Sequence, residues 1–245
     1  MATFTLVPGA DGRAWFWHRL EPELRARGHD VVTMDLPSDD SAGLEETAQA
    51  VVSAVERRAA LSGPLVLVAQ SLGGFSAPLV CGRLSVPVAE LVLLNAMVPA
   101  PGETAGQWWE NTGQAEARSD HAAATGRGAD PEFDLRADFF HDVPPEVTEE
   151  AFALGASQPP SALFAQPWPL TRWPDVPTRF LQGRDDRFFP LEFQRRIARD
   201  RLGLEIEEIP GGHLAALSRP RQLADALLRV GPTKPEEPAE HTKPV

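Results

Sequence analysis

Cysteine is nearly absent: Cys81 is the one example in 245 residues, which excludes an intramolecular disulfide framework and a thiolate metal cluster. Its setting in the apolar run "APLVCGRL" reads as a buried packing thiol. Basic charge is scarce too, with 23 Lys and Arg against 35 Asp and Glu and a formal net charge of -12. No broad basic surface is left to track a phosphate backbone or to sit on anionic lipid, so neither nucleic acid nor a membrane surface is expected as a partner. Runs of 18 consecutive apolar residues are missing, and with them any expected membrane-spanning helix. The opening "MATFTLVPGA" lacks a basic segment followed by a long apolar one, and reads as a first strand. A soluble, cytoplasmic protein is the expectation.

What is present is 42% hydrophobic residues, enough at this length for one large core. Short apolar runs alternate with helical periodicities: "TFTLV" (3–7), "WFWHRLEPELRARG" (15–28), "DVVTMDLP" (30–37), "LEETAQAVVSAVERRAAL" (44–61), "PLVLVA" (64–69), a helical stretch to about Leu84, and "VAELVLLN" (88–95). Continuous Val/Leu strands between amphipathic helices predict an α/β fold, a mostly parallel, doubly wound sheet with helices on both faces. From 97 to 177 the rhythm gives way to Pro, Gly and aromatic residues, and it resumes at "TRFLQG" (178–183) with a helix at 190–200, a strand at 204–210 and a last helix to about Val230. The expected organisation is one discontinuous core domain, 1–96 and 178–230, with a cap insertion at 97–177. Residues 231–245, rich in Pro and charge, read as a disordered tail.

The stretch "LVLVAQSLGG" (65–74) runs a buried strand directly into a serine flanked by small residues. Ala69-Gln70-Ser71-Leu72-Gly73 is the small-x-Ser-x-Gly pattern of a nucleophile elbow, in which a sharp strand-to-helix turn strains the serine backbone and leaves room only for tiny side chains two positions either side. The following helix turns its free amides toward an oxyanion. A serine needs a base, and a base needs an orienting acid. His213, in "IPGGHLAALSRP" after the last strand, falls at the carboxyl edge of the sheet where the elbow also lies, and is the expected base. The acid comes from "GRDDRFFP", which offers Asp185 and Asp186; the spacing from Gly183 to Pro190 favours Asp186, with Asp185 as a turn cap. Backbone amides of Ala10 and Leu72 are the expected oxyanion donors, since Gly9 in "LVPGADGRAWFW" permits close approach. The same loop lacks the G-x-G-x-x-G spacing of a dinucleotide site.

Taken together, "LVPGADGRAWFWHRLEPELRARGHDVVTMDLP", "AQSLGG", "GRDDRFFPLEFQRRIA" and "EIPGGHLAALSRP" resemble the α/β-hydrolase superfamily over residues 3–230, and more narrowly its small capped esterase and hydroxynitrile lyase branch. The resemblance implies a carboxylesterase acting on a small, largely apolar or aromatic ester through an acyl-enzyme on Ser71, His213 and Asp186, with no metal or organic cofactor and a possible homodimer. Pro8 stands where the branch often has histidine before the loop glycine. Gly9 and Leu214 stand where cyanohydrin-cleaving relatives carry threonine and lysine. The alternatives are an acyltransferase or lyase on the same site, or a ligand-binding protein with a vestigial triad. Trp108, Trp109 and Phe140 are candidate substrate-lining residues, with packing of the insertion against the core as the competing role. His141 is expected to be a surface or capping histidine.

Overall fold

The buried Val/Leu runs become strands because each can hide side chains on both faces of one sheet, and the amphipathic segments between them supply the cover. The computed structural model describes residues 1–58, 60–128, 132–155 and 157–229, so the expected tail lies outside the described residues. Six strands, β1 (Thr3–Val7), β2 (Asp30–Thr33), β3 (Leu65–Gln70), β4 (Val88–Leu94), β5 (Thr178–Gly183) and β6 (Ile206–Ile209), pair in the order β2-β1-β3-β4-β5-β6. Every pairing is parallel.

Side chains alternate between the two faces with period two. Leu65, Leu67 and Ala69 of β3 and Leu91 and Leu93 of β4 pack with α2 (Leu44–Glu56), α3 (Gly73–Val80) and α9 (Leu191–Leu202). Val66, Val68, Val92 and Leu94 face α1 (Leu20–Ala26), α10 (Ala215–Ser218) and α11 (Pro220–Leu227). Between β4 and β5 lie α4 (Ala105–Thr112), α5 (Gln114–Ala124), α6 (Leu135–Asp138), α7 (Pro145–Ala153) and α8 (Ser161–Ala165). No helix among the described residues is long and apolar enough to cross a membrane. Cys81 is a packing thiol: burial pushes its pKa up to about 12.

Two expected helices are each found in two pieces, and proline accounts for both. The segment 15–28 divides into a 3-10 turn, Ala14–Trp17, and α1. Pro22 has no N–H to offer the carbonyl of His18 and its ring crowds that carbonyl, so it is tolerated only in a first turn. At the other end, Pro220 disfavours helical geometry at Arg219, whose φ of -135° and ψ of 46° separate α10 from α11.

β1 connects to β2 on one side, and the chain then returns across β1 to place β3 on the other, so the strand order reverses between β1 and β3. The carboxyl ends of these two strands therefore open a crevice at the switch point. Gly9 and Ser71 both line it. The packing there leaves no room for larger residues: a Cβ added to Gly74 would lie 1.9 Å from the Met97 carbonyl oxygen, and one added to Gly73 would lie 2.9 Å from that of Pro8. Gly74→Ala is expected to cost about 2–3 kcal/mol of stability through overpacking against backbone, read as a lower urea midpoint with an unchanged m value.

Candidate active site

Ser71 stands between the end of β3 and the start of α3 with φ of 53°, a left-handed conformation that an L-residue adopts at a cost. Neighbouring backbone holds it there: its N–H donates to the Leu94 carbonyl at 3.2 Å, and its carbonyl accepts from Gly74 at 3.1 Å and from Met97 at 3.0 Å. The sharp turn lifts the side chain off the strand end and into the crevice. Leu72, the residue before α3, and Ala10, in the loop after β1, line the same crevice. Among the described residues neither backbone N–H has a hydrogen-bond partner.

His213 follows β6 in a loop packed against the end of β5, where a Cβ on Gly183 would lie 2.5 Å from the Gly211 carbonyl oxygen. Its Nε2 is 3.1 Å from Ser71 Oγ and its Nδ1 is 2.8 Å from Asp186 Oδ2. A carboxylate only accepts, so Nδ1–H donates to Asp186 and Nε2 is left to accept from the serine hydroxyl. Both His213 and Asp186 are wholly buried, and Ser71 is 7% exposed. Asp186 is held by its own turn: Oδ1 accepts from the amides of Phe188 and Phe189, each at 2.9 Å, and Oδ2 also accepts from Gln182 Nε2 at 3.3 Å. Asp185 points elsewhere, accepting from Gly211 N–H at 3.2 Å. Of the two adjacent acids, the structure joins Asp186 to His213 and also has it cap its own turn, whereas Asp185, expected as the turn cap, reaches the loop after β6.

Phenylalanines enclose the imidazole. Phe139, Phe188 and Phe189 each present a ring edge-on to His213, with centroids at 4.4, 5.4 and 5.2 Å. The cavity above encloses about 410 Å³. Its floor is Gly9, Ala10, Gln70, Ser71, Leu72 and His213, and much of its wall comes from 97–177, including Trp109, Phe139, Phe140 and Phe152. Two contacts tie that insertion to the loop after β1: Ser157 Oγ donates to the Asp11 carbonyl at 2.9 Å, and Arg13 Nη2 donates to the Gly155 carbonyl at 3.0 Å.

Of the three expected lining residues, Trp109 and Phe140 border the cavity and Trp108 does not. Trp108 is fully buried, donates its indole N–H to the Val98 carbonyl at 3.0 Å, and packs against Phe189 and Phe193. Adjacent residues of α4 point some 100° apart, so one tryptophan faces the core and the next faces the cavity. His141 takes a supporting position beside the His213 loop: a Cβ on Gly212 would lie 2.6 Å from its Nε2, and burial lowers its pKa. Trp17 belongs to the core, whereas its neighbour Phe16 reaches the cavity.

Sequence reasoning passed over Asp11 and Asn95. Asp11 is the one acidic residue lining the cavity among the described residues. Burial pushes its carboxyl above the usual range, against the pull of the Arg13 guanidinium. Asn95, wholly buried just past β4, has φ of 47°; a polar residue closing the apolar run "LVLLN" was the available signal.

Comparison with known proteins gives the same frame. Residues 6–226 match the model of the alpha/beta hydrolase family. The chain is 30% identical to Probable esterase PIR7A of Oryza sativa subsp. indica over 253 residues, covering 93% of this chain and 95% of that protein. It is 26% identical to the Alpha-hydroxynitrile lyase of Arabidopsis thaliana, covering 91% and 95%. In three dimensions it resembles polyneuridine aldehyde esterase, with a TM-score of 0.71 at 22% identity over 93% of this chain and 98% of that one. The chain belongs to the alpha/beta hydrolase family and is a carboxylesterase-like member of it.

Proposed function

We propose that the protein hydrolyses carboxylic esters of small, largely apolar or aromatic compounds through an acyl-enzyme on Ser71. The observation that carries this reading is the buried relay from Asp186 Oδ2 through His213 to Ser71 Oγ at the floor of an aromatic-walled cavity. Ser71 Oγ bonds to the ester carbonyl carbon as His213 Nε2 takes its proton; Asp186 holds the imidazole and stabilises it when charged. The oxyanion is received by the amides of Ala10 and Leu72. On collapse the carbon–oxygen bond to the alcohol breaks and His213 returns the proton to the leaving oxygen. Water, deprotonated by the same imidazole, then releases the acid. The insertion at 97–177 acts as the cap that walls the substrate cavity over Ser71.

A cyanohydrin-cleaving role fits the site less well. Leu214 lines the cavity where the resemblance would put a lysine, so no ammonium is there to receive departing cyanide. A Cβ on Gly9 would lie 2.4 Å from Gln70 Oε1 and 2.9 Å from Ser71 Cβ, leaving no space for a threonine. The test is a panel of p-nitrophenyl esters, from acetate to octanoate with a benzoate, run beside a cyanohydrin. Ester turnover without cyanide release is the expected result; cyanide release with no ester turnover overturns it.

The apolar wall and Asp11 give the cavity a charge preference. A carboxylate entering it would lose hydration with no Lys or Arg side chain lining the walls among the described residues, and would meet Asp11. p-Nitrophenyl hemisuccinate is expected to have kcat/KM at least about tenfold below that of the butyrate, the penalty for burying an unpaired charge. Asp11→Asn should narrow that gap; equal rates for the two esters in the wild type would contradict the assignment.

A further inference from the structure

We propose that Asn95 is a positioning residue of this site, its side-chain amide fixing the turn that carries Asp186 and the loop that carries His213 in one mutual register. The inference rests on the esterase reading for its meaning in turnover, and on geometry for its substance. Asn95 Oδ1 accepts from Gly183 N–H at 2.7 Å, and Nδ2 donates to the carbonyls of Gly212 and His213, each at 3.0 Å. Gly183 begins the turn in which Asp186 N–H donates back to the Gly183 carbonyl at 3.2 Å. One amide therefore binds the backbone of both the acid-bearing turn and the base-bearing loop.

The polarity of the group is fully used. An oxygen must face Gly183 N–H and an NH2 must face two carbonyls; a flipped amide would set donor against donor and acceptor against acceptors. With no solvent access, any lost partner leaves a buried group unpaired. The left-handed backbone of Asn95 is what turns its side chain back toward the strand ends, and asparagine is among the few residues that adopt it readily. The residues on either side complete the arrangement: Leu94 accepts from Ser71 N–H, and Met97 N–H donates to the Ser71 carbonyl. The four-residue corner 94–97 thus touches the backbone beside all three members of the relay. Gln70 Nε2, at 3.3 Å from the His213 carbonyl, gives that loop a second and longer tether.

The test uses Asn95→Gly, which keeps the backbone conformation and deletes the amide, and Asn95→Asp, which keeps the shape but supplies a donor only when protonated. Two readouts are needed. The first is kcat and KM for a p-nitrophenyl ester across pH: Asn95→Gly is expected to lose about 10²-fold in kcat with KM little changed, the scale set by small misplacement of reacting groups. Asn95→Asp should recover kcat relative to the wild type as pH falls from about 8 toward 6, because a protonated carboxyl restores one of the two lost donations. The second is the downfield proton resonance of His213 Nδ1–H hydrogen-bonded to Asp186, which requires no turnover. It is expected to shift or vanish in folded Asn95→Gly. An unaltered resonance and unaltered kcat in the folded variant overturn the proposal. A wild type without ester turnover would instead count against the esterase reading, and the resonance alone would then decide the role of Asn95.

Discussion

Replacing Ser71 with alanine is expected to lower kcat for p-nitrophenyl esters by about 10⁶-fold, the scale on which loss of an activated nucleophile falls. The change deletes one oxygen from a residue whose backbone strain is unaltered, since alanine pays the same left-handed cost at φ of 53° as serine does. The turn is held by Leu94, Gly74 and Met97 through main-chain bonds that alanine also makes, so the fold and the substrate cavity should survive. What remains is a water reaction assisted by the cavity and the amides of Ala10 and Leu72, which supplies the residual rate. Titration of active sites in the wild type against the purified variant measures the loss; a variant retaining more than a few per cent of kcat would place the nucleophile elsewhere.

Asp186→Asn should cost about 10⁴-fold in kcat with binding nearly intact, the effect of presenting the imidazole in the wrong tautomer. The physical reason lies in how Asp186 is held. Its Oδ1 accepts from two amides, Phe188 and Phe189. The asparagine oxygen must stay there, because an NH2 in that place would face two N–H groups. Its NH2 is then turned toward His213 Nδ1, which becomes the acceptor and moves the ring proton to Nε2, where it faces Ser71 Oγ. The base can no longer take the serine proton. Asp185→Asn provides the contrast: that side chain is 51% exposed and holds Gly211 N–H, so kcat should change less than about threefold, as for a surface substitution away from the chemistry. Comparable losses from the two variants would overturn the assignment of the acid.

Much of this was legible in the sequence because it rests on local signals. Continuous apolar runs between amphipathic segments specify the alternating strands and helices, and the small residues around Ser71 record the steric demands of a strained turn. His213 and Asp186 were reachable because the carboxyl edge of a parallel sheet gathers the loops that follow its strands. The breaks at Arg19 and Arg219 were also written in the sequence, in Pro22 and Pro220, but the apolar periodicity masked them. What sequence does not carry is long-range contact. The partners of Asn95 lie 88 and 117 residues away along the chain, and nothing local distinguishes it from a strand-ending asparagine. The paired aromatics show the same limit: in "WW" at 108–109 and "FF" at 188–189 one ring turns to the core and its neighbour to the cavity, a division set by the helix or turn that carries them.

The most direct test of the account is covalent: incubation with a fluorophosphonate probe followed by mass spectrometry of the digested protein. The expected result is one label per chain on the peptide containing Ser71, lost in Ser71→Ala and slowed by about 10³-fold or more in His213→Ala, where the serine has no base. A wild-type protein that stays unlabelled, or a label on any other residue, would contradict the assignment of Ser71 as the nucleophile.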